Sequence, residues 1–287
     1  MIIWGVGMPV EDILIDFWVL EDSPFSDITS EVLPLINVEA RILSKDEGIL
    51  AGRFIVEEIC RRHGVKIKFY KDDGDTLTVG DVIAELSGES KKILLIERLI
   101  VNLLMYLSGI ATTTRKFREK IERINPKIRI AATRKTIPGL RWLSKKAVEI
   151  GGGDTHRFSL SDCILIKDNH IKIIGDIDRA ISLAKKKASF TKLVEIEVRN
   201  VDEAIKAAEA GADIIMFDNM KPEEIKRAIE EIKRLGLRER IKLEVSGGIN
   251  LENVEKYAKL DIDVISTSII TLGPKPIDIT LKIAKIL

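Results

Sequence analysis

Residues Ala131–His170 read AATRKTIPGLRWLSKKAVEIGGGDTHRFSLSDCILIKDNH, and this stretch predicts both the fold and the site. The apolar run Ile128–Ala132 predicts a buried strand, and a second run, Cys163–Ile166, predicts another that ends on Lys167. Between them Pro138 predicts the start of a helix, because a missing N–H costs little at the first helical position. The strand ends and the intervening loop bring together four cations and a histidine: Arg134, Lys135, His156, Arg157 and Lys167. So much positive charge predicts a polyanionic ligand.

Beyond residue 126 the pattern alternates between short strands and helices. Strands are predicted at Ile128–Thr133, Cys163–Lys167, Leu193–Val198, Asp213–Phe217, Ile241–Ser246 and Asp263–Ser268. Helices are predicted between them at Ile137–Ile150, Ile174–Lys187, Val201–Ala210, Lys221–Leu235 and Leu251–Lys259. Short strands separated by helices predict a parallel α/β sheet. Because roughly six such units are fewer than the eight of a full barrel, we expect an incomplete β/α barrel, with a doubly wound sheet as the competing arrangement.

The remaining segments predict a first domain over residues 1–110 and a barrel domain over residues 111–270. A long apolar helix, Ser90–Ser108, is expected to break at Ser108-Gly109, and Thr112–Ile124 to continue as a charged helix. Pro274–Leu287 is read as a final helix that packs back on the first domain.

Composition excludes several classes of protein. The 287 residues include 46 basic and 45 acidic side chains, a net charge of +1, so no global basic character indicates nucleic acid. No apolar run reaches the roughly 18 residues of a membrane span, and Met1–Trp4 is too short for a signal peptide. Two distant cysteines, Cys60 and Cys163, predict a reducing cytoplasm. The absence of glutamine, with abundant Lys, Glu and Ile, is typical of a thermophile.

Polar groups follow every predicted strand of the barrel, where such folds carry their chemistry. A single lysine or glutamate at a strand end is usually only solvated, but six polar strand ends together predict a site. Besides the cations, the ends carry Glu195 and Glu197, then Asp218-Asn219, Ser246-Gly247-Gly248 and Ser266-Thr267-Ser268.

The acids and the glycines suggest complementary roles. Glu197 and Asp218 could hold Mg²⁺ beside substrate phosphates, or stabilise a cationic sugar carbon in a dissociative transition state. Ser246-Gly247-Gly248 is either a simple turn or a phosphate-binding loop ahead of a helix expected at residue 250 or 251. Without a Walker loop or a G-x-G-x-x-G after a strand, neither a nucleoside triphosphate nor a dinucleotide is indicated. Three widely spaced histidines do not predict a zinc site.

At these residues the chain resembles the quinolinate phosphoribosyltransferases, the carboxylating nicotinate-nucleotide pyrophosphorylases of type II. The matching runs include TRKTIPGLR, KKAVEIGGG, THRFSLSD, LIKDNHI, EIEV, GADIIMFDN and SGGINLENV. The resemblance implies an N-terminal α/β sandwich domain plus an incomplete, open β/α barrel of about six strands. It also implies transfer of a phosphoribosyl group from Mg²⁺-bound phosphoribosyl pyrophosphate to quinolinate, with decarboxylation, in NAD biosynthesis.

The resemblance also assigns roles to residues. It implies that the pyridine dicarboxylate contacts Arg134, His156, Arg157 and Lys167, with Thr133 beside them. It places Lys135 and Lys167 on the pyrophosphate side, and Glu197 and Asp218 on the metal and ribose side, so that these four are the predicted catalytic residues. The phosphate loop falls on Ser246, Gly247 and Gly248. Arg98 matches an arginine that the family donates from a neighbouring subunit, which implies a homodimer with shared active sites and leaves a hexamer open.

One segment departs from the family pattern. Where the family has a glycine after the sixth strand with Thr-His-Ser nearby, this chain has Ser266-Thr267-Ser268, and Ser268 is the predicted contact there. The Thr-Ser pair and the Asp22-Ser23-Pro24-Phe25 run are closer to molybdenum-transport-associated homologues that act on another base. A phosphate-metabolite binding protein without catalysis is the non-enzyme alternative. The run Lys167–His170 and the intact Glu197 and Asp218 favour quinolinate and catalysis.

Overall fold

A computed structural model describes residues 9–287, with side chains described from residue 13 onward, so Met1–Trp4 lies outside the described residues. The chain divides into two compact units, residues 1–112 with 274–287, and residues 113–273. The helices run, in chain order, α1 Pro9–Asp22, α2 Arg53–Arg62, α3 Ser90–Glu122, α4 Arg141–Ile150, α5 Asp168–Ile174, α6 Ile177–Lys187, α7 Val201–Glu209, α8 Pro222–Arg234, α9 Val254–Ala258 and α10 Ile269–Leu272. The strands run β1 Asn37–Ser44, β2 Gly48–Ile49, β3 Lys66–Phe69, β4 Thr76–Leu77, β5 Val82–Glu89, β6 Arg129–Ala132, β7 Ile164–Ile166, β8 Val194–Val198, β9 Ile214–Asp218, β10 Lys242–Ser246, β11 Val264–Thr267 and β12 Ile279–Ile286. Short 3-10 helices lie at Ser30–Val32 and Arg238–Arg240.

The first unit contains an antiparallel sheet in the order β12-β1-β5-β3 and a small β2-β4 ribbon. The predicted final helix over Pro274–Leu287 is therefore wrong, since β12 pairs with β1 from Ser44↔Ile279 to Val38↔Ile286. The physical reason is the two-residue period of its apolar side chains, which buries Ile279 and Leu281 on one face.

The predicted break at Ser108-Gly109 is also wrong, because α3 runs without interruption through both residues. Gly109 serves a close approach instead: a Cβ there would lie 2.6 Å from the Lys275 carbonyl oxygen. The Ser108 hydroxyl accepts a hydrogen bond from the Ala51 amide at 3.0 Å. By length and composition α3 could cross a membrane, but 56% of its most apolar stretch is buried inside the protein, as in a core helix.

The second unit contains one six-stranded parallel sheet in the order β6-β11-β10-β9-β8-β7, which does not close. This arrangement confirms the predicted incomplete β/α barrel. One face of the sheet is apolar and fully buried, with Ile196, Ile215, Phe217, Leu243 and Val245 at 0–1% exposure. The segment after the glycines lies beside β6 through an isolated parallel bridge, Ala131↔Asp154.

Three predicted helices of this unit begin three or more residues later in the structure, and one of them, expected from Leu251, begins at Val254. The helix expected from residue 137 begins only at Arg141, because Gly139 has φ 82°, a left-handed conformation that no helix interior accepts, and Pro138 lies in the preceding turn. The helix expected over Ile174–Lys187 begins at Ile177. Gly175 (φ 99°) ends α5, and the Asp176 side chain then caps α6 by accepting from the Arg179 amide at 3.0 Å.

Candidate active site

The chemistry-bearing residues lie on the second face of the parallel sheet, which we call the site face. Strand residues alternate between faces, and the register aligns Glu197 with Met216 and Glu244 across β8, β9 and β10. One step further along the strands, Asp218 pairs with Ser246, and Ser246 shares its row with Ser266 of β11. The site face therefore carries these polar groups: Glu195, Glu197, Asp218, Glu244, Ser246 and Ser266. The site face ends at the carboxyl ends of the strands, where the loops begin, and we call this edge the mouth of the site.

A group of arginines follows β6 and the glycine segment. Arg157 is buried, and Arg134 and Arg141 are half-buried. Burial, and after it the positive charges of Arg141 and Arg157, lowers the pKa of Arg134. The Arg134 Nε atom is buried and, among the described residues, has no hydrogen-bond partner. Because an unpaired buried guanidinium nitrogen is costly, this group can bind an anionic ligand.

Thr133 and Lys135 complete the loop after β6. The Thr133 hydroxyl accepts from the Lys135 amide at 3.1 Å, which turns the chain and leaves the Lys135 side chain exposed. The Lys135 carbonyl in turn accepts from the Thr271 hydroxyl of α10 at 2.8 Å. These bonds attach the loop to the segment after β11, so Lys135 sits on a constrained backbone, and its ammonium has no ion-pair partner among the described residues.

Beneath the arginines lies Lys145 of α4, which is fully buried. Its ammonium donates to the Ala132 carbonyl at 2.9 Å and to the Thr155 carbonyl. Burial, followed by the nearby charge of Arg141, lowers the pKa of Lys145 to about 8. Lys145 thus joins the end of β6 to the strand segment that leads to Arg157.

His156 points into the barrel rather than toward its mouth. Its Nε2 lies 3.0 Å from Glu244 Oε2 and 3.5 Å from Glu195 Oε2, and both carboxylates are buried. Burial alone would disfavour the charged ring, but hydrogen bonds to the two glutamates outweigh it and raise the pKa of His156 to about 10. The predicted contact of His156 with a pyridine carboxylate stays a prediction, which its other ring edge would have to make.

The acidic side of the site is formed by β8 and β9. Glu197 forms an ion pair with Lys167, the residue that caps α5 directly after β7. Asp218 accepts from the Asn219 side-chain amide at 2.9 Å and lies 3.8 Å from the Arg199 guanidinium, which also binds Asp168 at 3.1 Å. Both carboxylates are half-buried on adjacent strands and the same face, so they can neutralise a cation at the mouth.

The loop after β10 contains two consecutive glycines in a left-handed conformation. Gly247 and Gly248 both have left-handed φ values, 84° and 64°. A Cβ on Gly247 would lie 2.5 Å from the side chain of Asn219, which itself has φ 55°. The helix expected at residue 250 or 251 begins only at Val254, so its N-terminus does not adjoin the glycines. A phosphate at Ser246–Gly248 would be bound by loop amides.

The far wall follows β11. The Thr267 hydroxyl donates to the Ile249 carbonyl at 2.9 Å, which ties this strand end to the glycine loop. Ser268 is half-buried, and its carbonyl accepts from Thr271 and Leu272 at the end of α10. The hydroxyl of Ser268 as a phosphate contact stays a prediction. In the first unit, Arg98 is exposed on α3, so its guanidinium is not part of that unit's apolar core.

Sequence reasoning missed several residues of the site. Glu244 and Lys145 lie inside apolar patterns, where a charge gives no local sign of its partners, and only the register of β8 and β10 brings Glu244 to His156. Arg141 is the last residue of the run TRKTIPGLR, and Arg199 directly follows EIEV. A buried charge within an apolar run is nevertheless a signal, because such charges are rarely left without a role.

Comparison with known proteins extends these observations. The family model described as the C-terminal domain of quinolinate phosphoribosyl transferase matches residues 110–282, and the N-terminal domain model matches residues 27–108. An Archaeoglobus fulgidus protein named "Probable nicotinate-nucleotide pyrophosphorylase (carboxylating)" is 50% identical over 260 residues, which cover 91% of this chain and 99% of that protein. The human nicotinate-nucleotide pyrophosphorylase (carboxylating) is 33% identical over 270 residues, covering 94% of this chain and 90% of the relative. The structure of the nicotinate-nucleotide pyrophosphorylase from Francisella tularensis superposes with a TM-score of 0.90 at 36% identity, covering 98% of both chains.

Proposed function

The chain belongs to the quinolinate phosphoribosyltransferase family, and from this premise we propose that it is a carboxylating nicotinate-nucleotide pyrophosphorylase. It transfers the phosphoribosyl group of phosphoribosyl pyrophosphate to quinolinate. The products are nicotinate mononucleotide, pyrophosphate and CO₂, a step of NAD biosynthesis. The names of the relatives support this activity over transfer to another base.

The observation that carries the choice of quinolinate is the unpaired arginine group. In the described part of the chain, Arg134 and Arg157 have no carboxylate partner, and the buried Arg134 Nε donates to nothing. Arginine binds carboxylates through two parallel hydrogen bonds. A pyridine with two adjacent carboxylates supplies the charge that this group lacks, whereas a base with a single carboxylate or none would leave a buried cation unpaired.

On the opposite side, we propose that the ribose phosphates are bound by cations and loop amides. The 5′-phosphate lies on Ser246, Gly247 and Gly248, with Ser268 as a further contact. Lys135, whose side chain is exposed, contacts the pyrophosphate. Lys167 exchanges its ion pair with Glu197 for contact with substrate anions.

The carboxylates of Glu197 and Asp218 suit a magnesium ion. They are hard oxygen donors on adjacent strands of the site face, and both have access to the mouth. Bound there with phosphoribosyl pyrophosphate, the ion would neutralise charge on the pyrophosphate leaving group. Independently of the ion, the same two carboxylates favour positive charge at the sugar carbon as the bond to pyrophosphate weakens.

The order of events follows from charge. The pyridine nitrogen forms a bond to C1 of the ribose while the bond to pyrophosphate breaks, so the ring nitrogen becomes positive. That charge stabilises the electron pair left on C2 when the C2–carboxylate bond breaks and CO₂ leaves, and a proton then fills the position. The contribution of the protein is placement and electrostatics, because a covalent nucleophile is not required.

We also propose that the active site is shared between two copies of the chain. Arg98 is exposed in one chain, and the resemblance to the family implies that this arginine enters the site of a neighbouring subunit. Mixing Arg98→Ala protein with Arg134→Ala protein should restore part of the activity, since a mixed dimer then contains one intact site. Verified mixed dimers without any recovery would rule out sharing. The free thiols of Cys60 and Cys163 suit a reducing compartment, which supports a cytoplasmic location.

The activity is tested by comparing bases. Purified protein with Mg²⁺ and phosphoribosyl pyrophosphate is given quinolinate or nicotinate in parallel, and mononucleotide is measured by chromatography. We expect mononucleotide in the reaction with quinolinate and none in the reaction with nicotinate. Product from nicotinate alone would assign a different transferase activity, and ligand-induced thermal stabilisation without any product would indicate a binding protein.

A further inference from the structure

Five side chains form a continuous polar connection through the interior of the barrel. In spatial order they are Glu195, His156, Glu244, Ser266 and Ser246, and we call them the interior network. His156 Nε2 lies between the two glutamates at 3.5 and 3.0 Å. Ser266 Oγ donates to Glu244 Oε1 at 2.5 Å and lies 2.9 Å from Ser246 Oγ. The connection spans from the glycine segment beside β6 to the phosphate loop after β10.

Burying the interior network lowers the free energy of unfolding relative to an apolar interior, so stability alone does not explain its presence. Glu195 and Glu244 are 0% and 1% exposed, and moving carboxylates out of water costs more than an apolar pair of the same volume. Among the described residues, Glu195 Oε1 has no hydrogen-bond partner at all. Buried polar groups of this kind specify one arrangement of the elements that carry them, which is a positional role.

Each end of the network adjoins one half of the proposed site. His156 has φ 51°, an uncommon conformation for a side-chain-bearing residue, and its amide donates to Asp154 Oδ1 at 2.7 Å. The next residue, Arg157, belongs to the unpaired arginine group. At the other end, Ser246 immediately precedes Gly247, whose left-handed conformation shapes the phosphate loop.

We propose that the interior network positions both halves of the site: it sets Arg157 on the base-binding side through His156, and Ser246 on the phosphate-binding side through Ser266. Glu195, Glu244 and Ser266 are positioning residues: they act through His156 and Ser246 and do not touch substrate. This inference rests on the proposed function for the identity of the two ligands, and on the geometry alone for the connection.

The order of the network predicts a different kinetic effect at each point. Ser266→Ala disconnects the phosphate end and should raise KM for phosphoribosyl pyrophosphate about tenfold, the effect of one lost buried hydrogen bond. Glu195→Gln disturbs the other end and should raise KM for quinolinate by about the same factor. In both variants the KM of the remote substrate should change less than about twofold. Glu244→Gln, in the middle, should raise both constants.

The matched control is Ser144→Ala, which removes a buried hydroxyl that donates to the Leu140 carbonyl outside the network. It should leave both KM values unchanged, and melting temperatures should show that every variant is folded. If Glu244→Gln fails to fold, Ser266→Ala and Glu195→Gln decide the question. Equal changes of both constants in those two variants, or no change in either, would overturn the proposal.

A separate binding measurement distinguishes this proposal from the proposed function. If the unmodified protein makes no product from quinolinate, the function fails first. Titration calorimetry with inorganic phosphate then tests the network alone. Weaker phosphate binding by Ser266→Ala than by Ser144→Ala supports it, and equal binding overturns it.

Discussion

Replacing Lys145 by methionine tests the electrostatics of the base-binding side most sharply. The lysine is fully buried, and its pKa is lowered by burial from 10.5 to about 8. At about 1.4 kcal/mol per pKa unit, keeping the ammonium charged in the folded protein costs about 3 kcal/mol below pH 8. Methionine has a similar length but no charge, so the variant lacks this cost. It also lacks the hydrogen bonds to the Ala132 and Thr155 carbonyls.

The sign of the pH dependence follows from proton binding. Between about pH 8 and 10.5 the unfolded lysine holds a proton that the folded lysine has released, so the free energy of unfolding rises with pH. Below pH 8 both states are charged and the cost is complete, whereas above 10.5 both are neutral. The wild-type protein should therefore gain up to about 3 kcal/mol relative to Lys145→Met across this window.

Guanidinium unfolding of both proteins at pH 7.5, 9 and 10.5 measures this difference. Lys146→Met is the matched control, because its ammonium forms a half-exposed ion pair with Glu149 at 3.1 Å and should give no comparable trend. A difference between wild type and Lys145→Met that stays constant from pH 7.5 to 10.5 would refute the assignment of a buried, charged Lys145.

Three further outcomes are expected. Gly247→Ala should lower kcat/KM for phosphoribosyl pyrophosphate at least tenfold, because the added Cβ would lie 2.5 Å from the Asn219 side chain. Gly236→Ala is the control: it has a similar φ but open space around it, so it should show only the stability loss of about 1 kcal/mol that both variants share. Equal kinetics for the two variants would contradict a shaped phosphate loop. Glu197→Gln should reduce kcat by about a hundredfold or more with little change in melting temperature. Its control, Glu231→Gln, removes a surface ion pair with Arg234 and should change neither kcat nor the melting temperature. Nitrogen NMR spectra at pH 8 should show the His156 ring as an imidazolium. Its contribution to the free energy of unfolding should be complete below pH 6.5 and should be lost as the pH rises through about 10. Titration of the ring near pH 6.5 would exclude the ion pairs with Glu195 and Glu244.

Much of the barrel could be predicted because its signals are local. The strands of the second unit lie within one or two residues of their predicted ends, since short apolar runs bounded by glycine or charge define them. Errors arose where a residue had a tertiary purpose. The sequence at Gly109 predicts a helix break, whereas this glycine permits a close approach to Lys275. The sequence of β12 predicts a helix, because its pairing partner, β1, lies far away in sequence.

The mouth of the site was predictable for a related reason. Parallel strands bring their carboxyl ends to one edge, so polar residues after successive strands must meet whatever the loops do. The interior was not predictable in this way. The meeting of His156 with Glu195 and Glu244 depends on the curvature and register of strands separated by up to about ninety residues, which no local pattern encodes.

The most direct test of the proposed activity is a stoichiometric measurement with quinolinate labelled in its 2-carboxylate. With phosphoribosyl pyrophosphate and Mg²⁺, we expect labelled CO₂, pyrophosphate and unlabelled nicotinate mononucleotide in equal amounts. Release of labelled CO₂ should stop when phosphoribosyl pyrophosphate or Mg²⁺ is omitted, because bond formation at the ring nitrogen precedes loss of the carboxylate. Label retained in a mononucleotide, or CO₂ released without phosphoribosyl pyrophosphate, would contradict the account.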